Sequence, residues 1–273
     1  MSADDFSTVG VALALDELRG ELATQRLGRQ FHYFSEIGST NYHARQLAER
    51  GAVEGEVVIA EAQTQGRGRL GRPWQSPPFA NLYFSLILRP KLEPADAPQI
   101  TLMAAVALAE TVGWFIPQAA AIKWPNDILV GGKKLAGILT EAACDSQRLH
   151  YVILGIGVNL NYRVEAMPDE IRGRATSIAA LTGTSVRRES FLRRLIQDLD
   201  RCYGELEESG FSALAARWEA HFAWRGRRVR VESFDQCITG RARGIDRDGA
   251  LLIEDEQGAV QRVIAGDVVP LET

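Results

Sequence analysis

The segment Lys123-Trp124-Pro125-Asn126-Asp127-Ile128-Leu129-Val130-Gly131-Gly132-Lys133-Lys134-Leu135-Ala136-Gly137-Ile138-Leu139 decides how this chain is read. Ala121-Ile122-Lys123-Trp124 has the pattern of a short strand, Pro125-Asn126-Asp127 that of a turn, and Ile128-Leu129-Val130 that of a second strand. Gly131-Gly132 is a two-residue hairpin connection into a third strand. This pattern predicts Lys123 and Lys134 on neighbouring strands. It also gathers two lysines, a carboxylate, an amide and a close-approach glycine, more convergent polar chemistry than a strand pair needs for folding. A site is expected here.

Composition sets the outer limits. A chain of 273 residues, 46% hydrophobic and 24% charged, can bury a full core and suits one large domain with a small companion. A net charge of -4 and a pI near 5.7 offer no global attraction to nucleic acid or an anionic membrane, so any basic site is local. Cys144, Cys202 and Cys237 lack metal or redox spacing, and their odd number argues against a disulfide framework. Met1-Ser2-Ala3-Asp4-Asp5 has no positive leader region, and no apolar run is long enough to span a bilayer. A reducing cytoplasm is the expected location.

Upstream of the opening segment, Val11, Leu15, Leu18 and Leu22 mark one amphipathic helix over 10–22. A DNA-reading helix-turn-helix needs further helices, and the next strand, Phe31-His32-Tyr33-Phe34, comes too soon for them. Gly38 then turns the chain into Ser39-Thr40-Asn41. Ser39 or Thr40 either caps a helix running to Gly51 or offers hydrogen bonds to a ligand at that helix start. Val57 to Ala62 is a buried strand, and it leads into Gln63-Thr64-Gln65-Gly66-Arg67-Gly68-Arg69-Leu70-Gly71-Arg72. Glycines interleaved with arginines make a mobile loop that repels itself when empty. Such a loop wants an anion: its amides approach phosphate or carboxylate closely, and its guanidiniums supply forked donors. No Gly-Lys-Ser/Thr follows, so it is not a Walker loop. A solvated basic turn or an RNA-touching segment fits the same residues.

Leu82 to Leu88 is apolar on both faces, a strand covered on both sides. A core helix opens at Asp96 or Pro98 and ends at Gly113. Tyr151 to Asn161 is another strand, in which Gly155 and Gly157 permit close approach or mark a bulge, and Asn159 and Asn161 mark a site or a strand end. Residues 162–174 form a loop long enough to be a lid. Ser177–Leu181, Glu189–Glu207 and Ser212–Phe222 read as helices. From Gly226 onward, short alternating segments broken by Asp248-Gly249 and Gln257-Gly258 fit a small barrel of about five strands.

Five segments, in order, resemble the motifs of the biotin protein ligases: Ser39-Thr40-Asn41, Gly66 to Arg72, Lys123 to Asp127, Lys134 to Leu139, and Gly155-Ile156-Gly157-Val158-Asn159. The resemblance implies an α+β fold, with a catalytic domain related to class II aminoacyl-tRNA synthetases, a mixed sheet with helices, over 28–223. An SH3-like barrel follows over 224–273, and 1–27 is an N-terminal helix and linker. Bifunctional members carry a winged-helix repressor domain, so the single helix implies the monofunctional type, with no DNA role expected. The implied reaction joins biotin to ATP as biotinyl-5′-AMP, releasing pyrophosphate, then transfers biotin to a lysine of a biotin carboxyl carrier protein. No membrane partner is implied, and a homodimer is compatible with the reading.

By the same resemblance, Ser39, Thr40, Asn41 and Gln63 face the biotin head group. Arg67, Gly68, Arg69 and Lys134 face its carboxylate and the α-phosphate, with Lys134, Arg67 and Arg69 acting on the reaction itself. Trp74 walls the biotin tail, and Gly137 admits the ligand against the backbone. ATP falls to Arg67, Arg69, Arg72, Lys123, Asn126, Asp127, Lys134 and Asn159, with Mg²⁺ accompanying it through ligands the sequence does not name. Neither step needs an enzyme nucleophile, which suits a chain with no candidate Ser-His-Asp cluster. The loops 63–74 and 162–174 are expected to order over biotin and the adenylate. A lipoate or octanoate ligase would share fold and adenylation chemistry. A non-enzymatic RNA-binding or regulatory module is the alternative from another class, and the acidic pI speaks against it.

Overall fold

The computed structural model describes residues 11–233 and 237–271. The start of the chain, Met1 to Asp5, and the first residue of the expected N-terminal helix lie outside them. That helix is shorter than its apolar spacing predicts: α1 spans Leu15–Gly20 and Val11 is exposed. Its reason is upstream, where the amides of Leu13 and Ala14 are tied to the carboxylates of Glu61 and Glu189 and the chain is held out of helical register.

Strand β1 (Gln30–Ile37) leads to helix α2 (Thr40–Glu49), then β2 (Glu56–Gln63), β3 (Leu82–Leu88) and helix α3 (Pro98–Phe115). The opening segment forms β4 (Ala120–Lys123), β5 (Asp127–Val130) and β6 (Lys133–Cys144), and β7 (Leu149–Val158) follows. These seven strands make one sheet in the order β1-β2-β3-β7-β6-β5-β4. Only β1 and β2 run parallel, so the sheet is mixed as expected. Lys123 and Lys134 are not on neighbouring strands, because the turn after Trp124 interposes β5 between β4 and β6.

Residues 162–174 are not a bare loop. They hold a 3₁₀ turn at Val164–Ala166 and helix α4 (Asp169–Arg172), folded around buried Tyr162, Met167 and Ala175. Helix α5 (Ile178–Thr182) is capped by Ser177 and stopped by Gly183 at φ +76°, a backbone conformation that suits glycine. Helices α6 (Arg188–Ser209) and α7 (Ser212–His221) complete the layer on α3. Helix α3 is apolar nearly all round because it is enclosed, with α6 and α7 on one side and β4 and β6 on the other. Helix α2 packs on β2, β3 and β7 through Ala44 and Ala48.

The remaining strands, β8 (Arg228–Glu232), β9 (Cys237–Ile245), β10 (Leu251–Glu254), β11 (Val260–Val263) and β12 (Asp267–Pro270), form an antiparallel sheet ordered β11-β10-β9-β8-β12. Val229, Val231, Leu251, Ile253 and Val268 join the main core rather than forming their own. The buried Trp124 indole donates to Gly249 O at 3.1 Å, tying the opening segment to the Asp248-Gly249 turn.

A buried ion pair anchors the start of the described chain. Arg188 Nη1 lies 2.5 Å from Glu61 Oε2, the side chains being 5% and 0% exposed. Leu13 N and Tyr33 OH both donate to Glu61 Oε1 at 2.9 Å, and Arg188 Nη2 donates to Val11 O at 2.6 Å. Extra hydrogen bonds of this kind are what a buried pair needs to offset its desolvation.

Candidate active site

Register assembles the site. Tyr83, Gly157, Gly137, Asp127 and Lys123 stand opposite one another in turn across β3, β7, β6, β5 and β4. Opposed residues share a face, and the two glycines leave that face bare in its middle. Leu135 has no partner on β5: Leu129 faces Lys134 and Ile128 faces Ala136. This bulge re-aims Lys134 onto the face of Gly137. A Cβ at Gly137 would lie 3.2 Å from Lys134 Nζ and 3.1 Å from the Trp74 ring.

Trp74 lies over the bare strip. A Cβ at Gly157 would come within 2.6–2.8 Å of three indole atoms, so β7 passes beneath the ring only as glycine. One step along, a Cβ at Gly155 would lie 2.0 Å from Asn41 Oδ1. Asn41 is fixed there. Its Nδ2 donates to Leu139 O at 3.2 Å and Glu141 Oε2 at 2.7 Å, and its Oδ1 faces Ser85 Oγ at 2.7 Å. Ser85 Oγ is also 2.8 Å from Thr40 Oγ1, and Gln63 Oε1 accepts from Thr40 N at 2.9 Å. The two readings of Ser39-Thr40-Asn41 divide between residues: Ser39 caps α2 by accepting from Tyr42 N, while Thr40 and Asn41 enter the network at the cleft floor.

The arginine loop does not stand alone in repulsion, because oxygens meet each guanidinium. Arg67 pairs with Glu141 at 3.1 Å, Arg72 with Asp267 at 2.8 Å, and Arg69 donates to Asn126 Oδ1 at 3.3 Å and Gly266 O at 3.4 Å. Burial pulls the Arg69 guanidinium pKa down, opposed by the charges of Asp127 and Asp267. At the loop tip, exposed Leu70 is held at φ +55°.

Asp267 reaches in from the C-terminal sheet. Burial pushes its carboxyl up, but hydrogen bonds from Lys123 and Arg72 outweigh this and hold it below the ordinary carboxylate range. Lys134 Nζ lies 2.7 Å from Asp127 Oδ1 and 5.3 Å from the Trp74 ring centroid. The first contact is a close ion pair that engages Asp127 Oδ1. Trp74 Nε1 is buried and has no hydrogen-bond partner among the described residues. An unsatisfied indole N–H in the cleft wall calls for an acceptor from a ligand or water.

The cleft holds a cavity of about 120 Å³, narrower than a typical small-molecule site because the side chains of the arginine loop and Trp74 stand in it. Ser39, Thr40, Asn41, Gln63, Arg67, Gly68, Arg69, Arg72, Trp74, Lys123, Asn126, Asp127, Lys134 and Gly137 all line it. Asn159 does not. It borders a second, mainly apolar recess of about 630 Å³ beyond Trp74 and Lys134. Its own amide donates to Thr176 O at 3.1 Å and accepts from Asn81 at 3.4 Å. The sequence reading missed Ser85, Glu141 and Asp267 in the cleft network, and noted Gly155 and Gly157 without assigning them. Ser85 was detectable as the one serine in an apolar strand, whereas nothing local marks Asp267.

The chain is similar in sequence and fold to known proteins. Residues 33–159 match the Biotin/lipoate A/B protein ligase family and residues 226–269 the Biotin protein ligase C terminal domain. The biotin–[acetyl-CoA-carboxylase] ligase of Mycobacterium tuberculosis is 37% identical over 266 residues, covering 94% of this chain and 96% of that one. The bifunctional ligase/repressor BirA of Bacillus spizizenii is 36% identical over 256 residues, covering 94% of this chain and 78% of that one. A solved biotin protein ligase from Aquifex aeolicus, in complex with biotin and ATP, superposes with a TM-score of 0.77 at 28% identity over 90% of this chain and 100% of that one. The chain belongs to the biotin/lipoate A/B protein ligase family, in its biotin protein ligase branch.

Proposed function

We infer that this chain is an ATP-dependent biotin protein ligase. It activates biotin as biotinyl-5′-AMP with release of pyrophosphate and passes biotin to a lysine of a carboxylase's biotin carrier protein. The observation that carries this reading is a cleft built of two parts, a polar pocket over bare glycines and a cluster of cations at its mouth, in a chain of this family.

Within that function the residue roles are our proposals. Thr40, Asn41 and Gln63 offer a fixed set of donors and acceptors to the polar head of biotin, with Ser39 holding the start of α2 beside them. Trp74 covers the biotin tail against Gly137 and Gly157. Arg67, Gly68, Arg69 and Lys134 meet the biotin carboxylate and the α-phosphate, where charge builds in both steps. Preorganised donors aimed at developing charge are the largest single source of catalysis in such sites. Arg72 and Lys123 take further phosphate oxygens once Asp267 yields them, and Asn126 serves by steering Arg69. Asn159 acts through the wall of the recess, its amide being committed.

No group of three or more His, Cys, Asp or Glu side chains among the described residues is placed to hold a metal ion. Mg²⁺ prefers phosphate oxygens and water to an all-protein cage, so it enters with ATP as part of that substrate. Asp127, which lines the cleft beside Lys134, is the carboxylate that would meet it.

We place the catalytic unit at 28–223 and the C-terminal unit at 224–273, after an N-terminal stretch over 1–27; the change of sheet between β7 and β8 supports this division. Segment 11–20 lies against the main domain rather than standing off as a DNA reader, which supports a monofunctional enzyme. No helix among the described residues is long and apolar enough to cross a membrane. The free thiols of Cys144, Cys202 and Cys237 support a cytoplasmic location.

ATP–pyrophosphate exchange, run with biotin, lipoate, octanoate and no acid, tests the reading. Exchange with biotin alone is expected. Exchange with lipoate alone would overturn the substrate, and no exchange with any acid in folded protein would overturn the activity.

A further inference from the structure

One carboxylate joins the two halves of the cleft. Strand alternation puts Gly137, Leu139 and Glu141 on one face of β6, opposite Gly157, Gly155 and Ile153 of β7. Glu141 is therefore on the cleft face. Because Gly155 is bare, Asn41 lies against β7 there, and Glu141 Oε2 accepts from Asn41 Nδ2 at 2.7 Å. Glu141 Oε1 accepts from Arg67 Nη2 at 3.1 Å. One oxygen holds the floor of the polar pocket, and the other holds the arginine loop.

The other arginines of the loop are held from elsewhere, Arg69 by Asn126 and Gly266 O and Arg72 by Asp267. Among the described residues, only Arg67 is held by a group that also hydrogen-bonds Thr40, Asn41 or Gln63. The Arg67–Glu141 pair does little for stability, because its side chains are 45% and 31% exposed and a pair open to solvent contributes little. Its consequence is direction. The contact takes one nitrogen of a fork that carries five N–H donors, so Glu141 aims Arg67 and leaves donors for an anion.

We propose that Glu141 is a positioning residue that couples the head-group pocket to Arg67. This rests on the biotin ligase reading. A ring seated against Thr40, Asn41 and Gln63 fixes Asn41, and Asn41 fixes the Glu141 carboxylate. The carboxylate then sets Arg67 where the biotin carboxylate and the α-phosphate come. No covalent bond changes at Glu141. The coupling runs both ways, because two linked sites change each other's affinity by the same factor.

The test compares the full chain with its Glu141→Gln and Glu141→Ala variants, titrating each with biotin and with biotin methyl ester, whose carboxylate is masked. Glu141→Gln keeps an oxygen for Asn41 but turns an amide N–H toward Arg67. The ester should bind it as it binds wild type, while biotin weakens about tenfold, the scale of one charged hydrogen bond. Glu141→Ala loosens Asn41 as well, and both ligands should weaken. With biotin bound, trypsin should cut after Arg67 several-fold faster in Glu141→Gln than in wild type, at an unchanged melting temperature. Equal weakening of biotin and ester by Glu141→Gln, unchanged or tighter biotin binding, or equal cutting would overturn the proposal. A wild-type chain that does not bind biotin would instead strike the ligase reading beneath it.

Discussion

The carboxylate of Asp267, on the last strand of the C-terminal sheet, closes on the ammonium of Lys123, at the end of the main sheet's edge strand, at 2.9 Å. The same carboxylate holds Arg72 at 2.8 Å. It therefore stands between two cations where a phosphate oxygen is proposed to come, and it couples the C-terminal sheet to the cleft.

Asp267→Asn tests that coupling through pH. The folded pKa lies below the ordinary value, so the stabilisation is present above the unfolded pKa of about 3.9 and is lost as pH falls through the lower, folded one. The melting temperature of the variant should lie below wild type at neutral pH, and the gap should close below about pH 4. Melting curves from neutral to acid pH measure it. A gap that does not change with pH would mean that Asp267 contributes by packing alone.

Lys134→Ala should slow biotin-dependent pyrophosphate exchange by about 10²–10³-fold, the scale of losing one preorganised donor to developing negative charge. Its melting temperature should fall only slightly, since the side chain is 36% exposed and a pair open to solvent contributes little. An unchanged exchange rate would remove Lys134 from the reaction.

Gly155→Ala should weaken biotin binding by about 1–3 kcal/mol, the usual cost of forcing a methyl group into a filled space. The added Cβ would meet Asn41 Oδ1 and drive it off Ser85 and Glu141. Gly113→Ala is the control, in a helix with nothing within 4 Å of its Cβ; it should leave biotin binding alone. Titration calorimetry with biotin separates them, and equal affinity in both variants would discard the proposed role of Asn41.

The legible parts of this site are those where backbone and chemistry coincide locally. Gly137 and Lys134 stood out because a hairpin and a lysine-glycine pair are readable within a few residues, and Thr40, Asn41 and Gln63 because they flank strand ends. Three things were hidden. The intervening β5 separates Lys123 from Lys134, since periodicity marks strands but not their order. The pairing of Asp267 with Arg72 spans 195 residues, and no local pattern encodes it. Asn159 looked free in an apolar run, yet the fold spends its amide on Thr176 and Asn81. The self-repulsion of the arginine loop failed for the same reason: its counter-charges, Glu141 and Asp267, come from other strands.

The anchoring of Val11 and Leu13 on the Arg188–Glu61 pair has a mechanical meaning. Glu61 sits on β2, two positions before Gln63, so tension applied ahead of Val11 is delivered to a rigid strand that ends in the ligand cleft. A fusion partner or surface tether joined upstream by a short linker would pull on that strand. The same attachment through a long flexible linker would leave it slack.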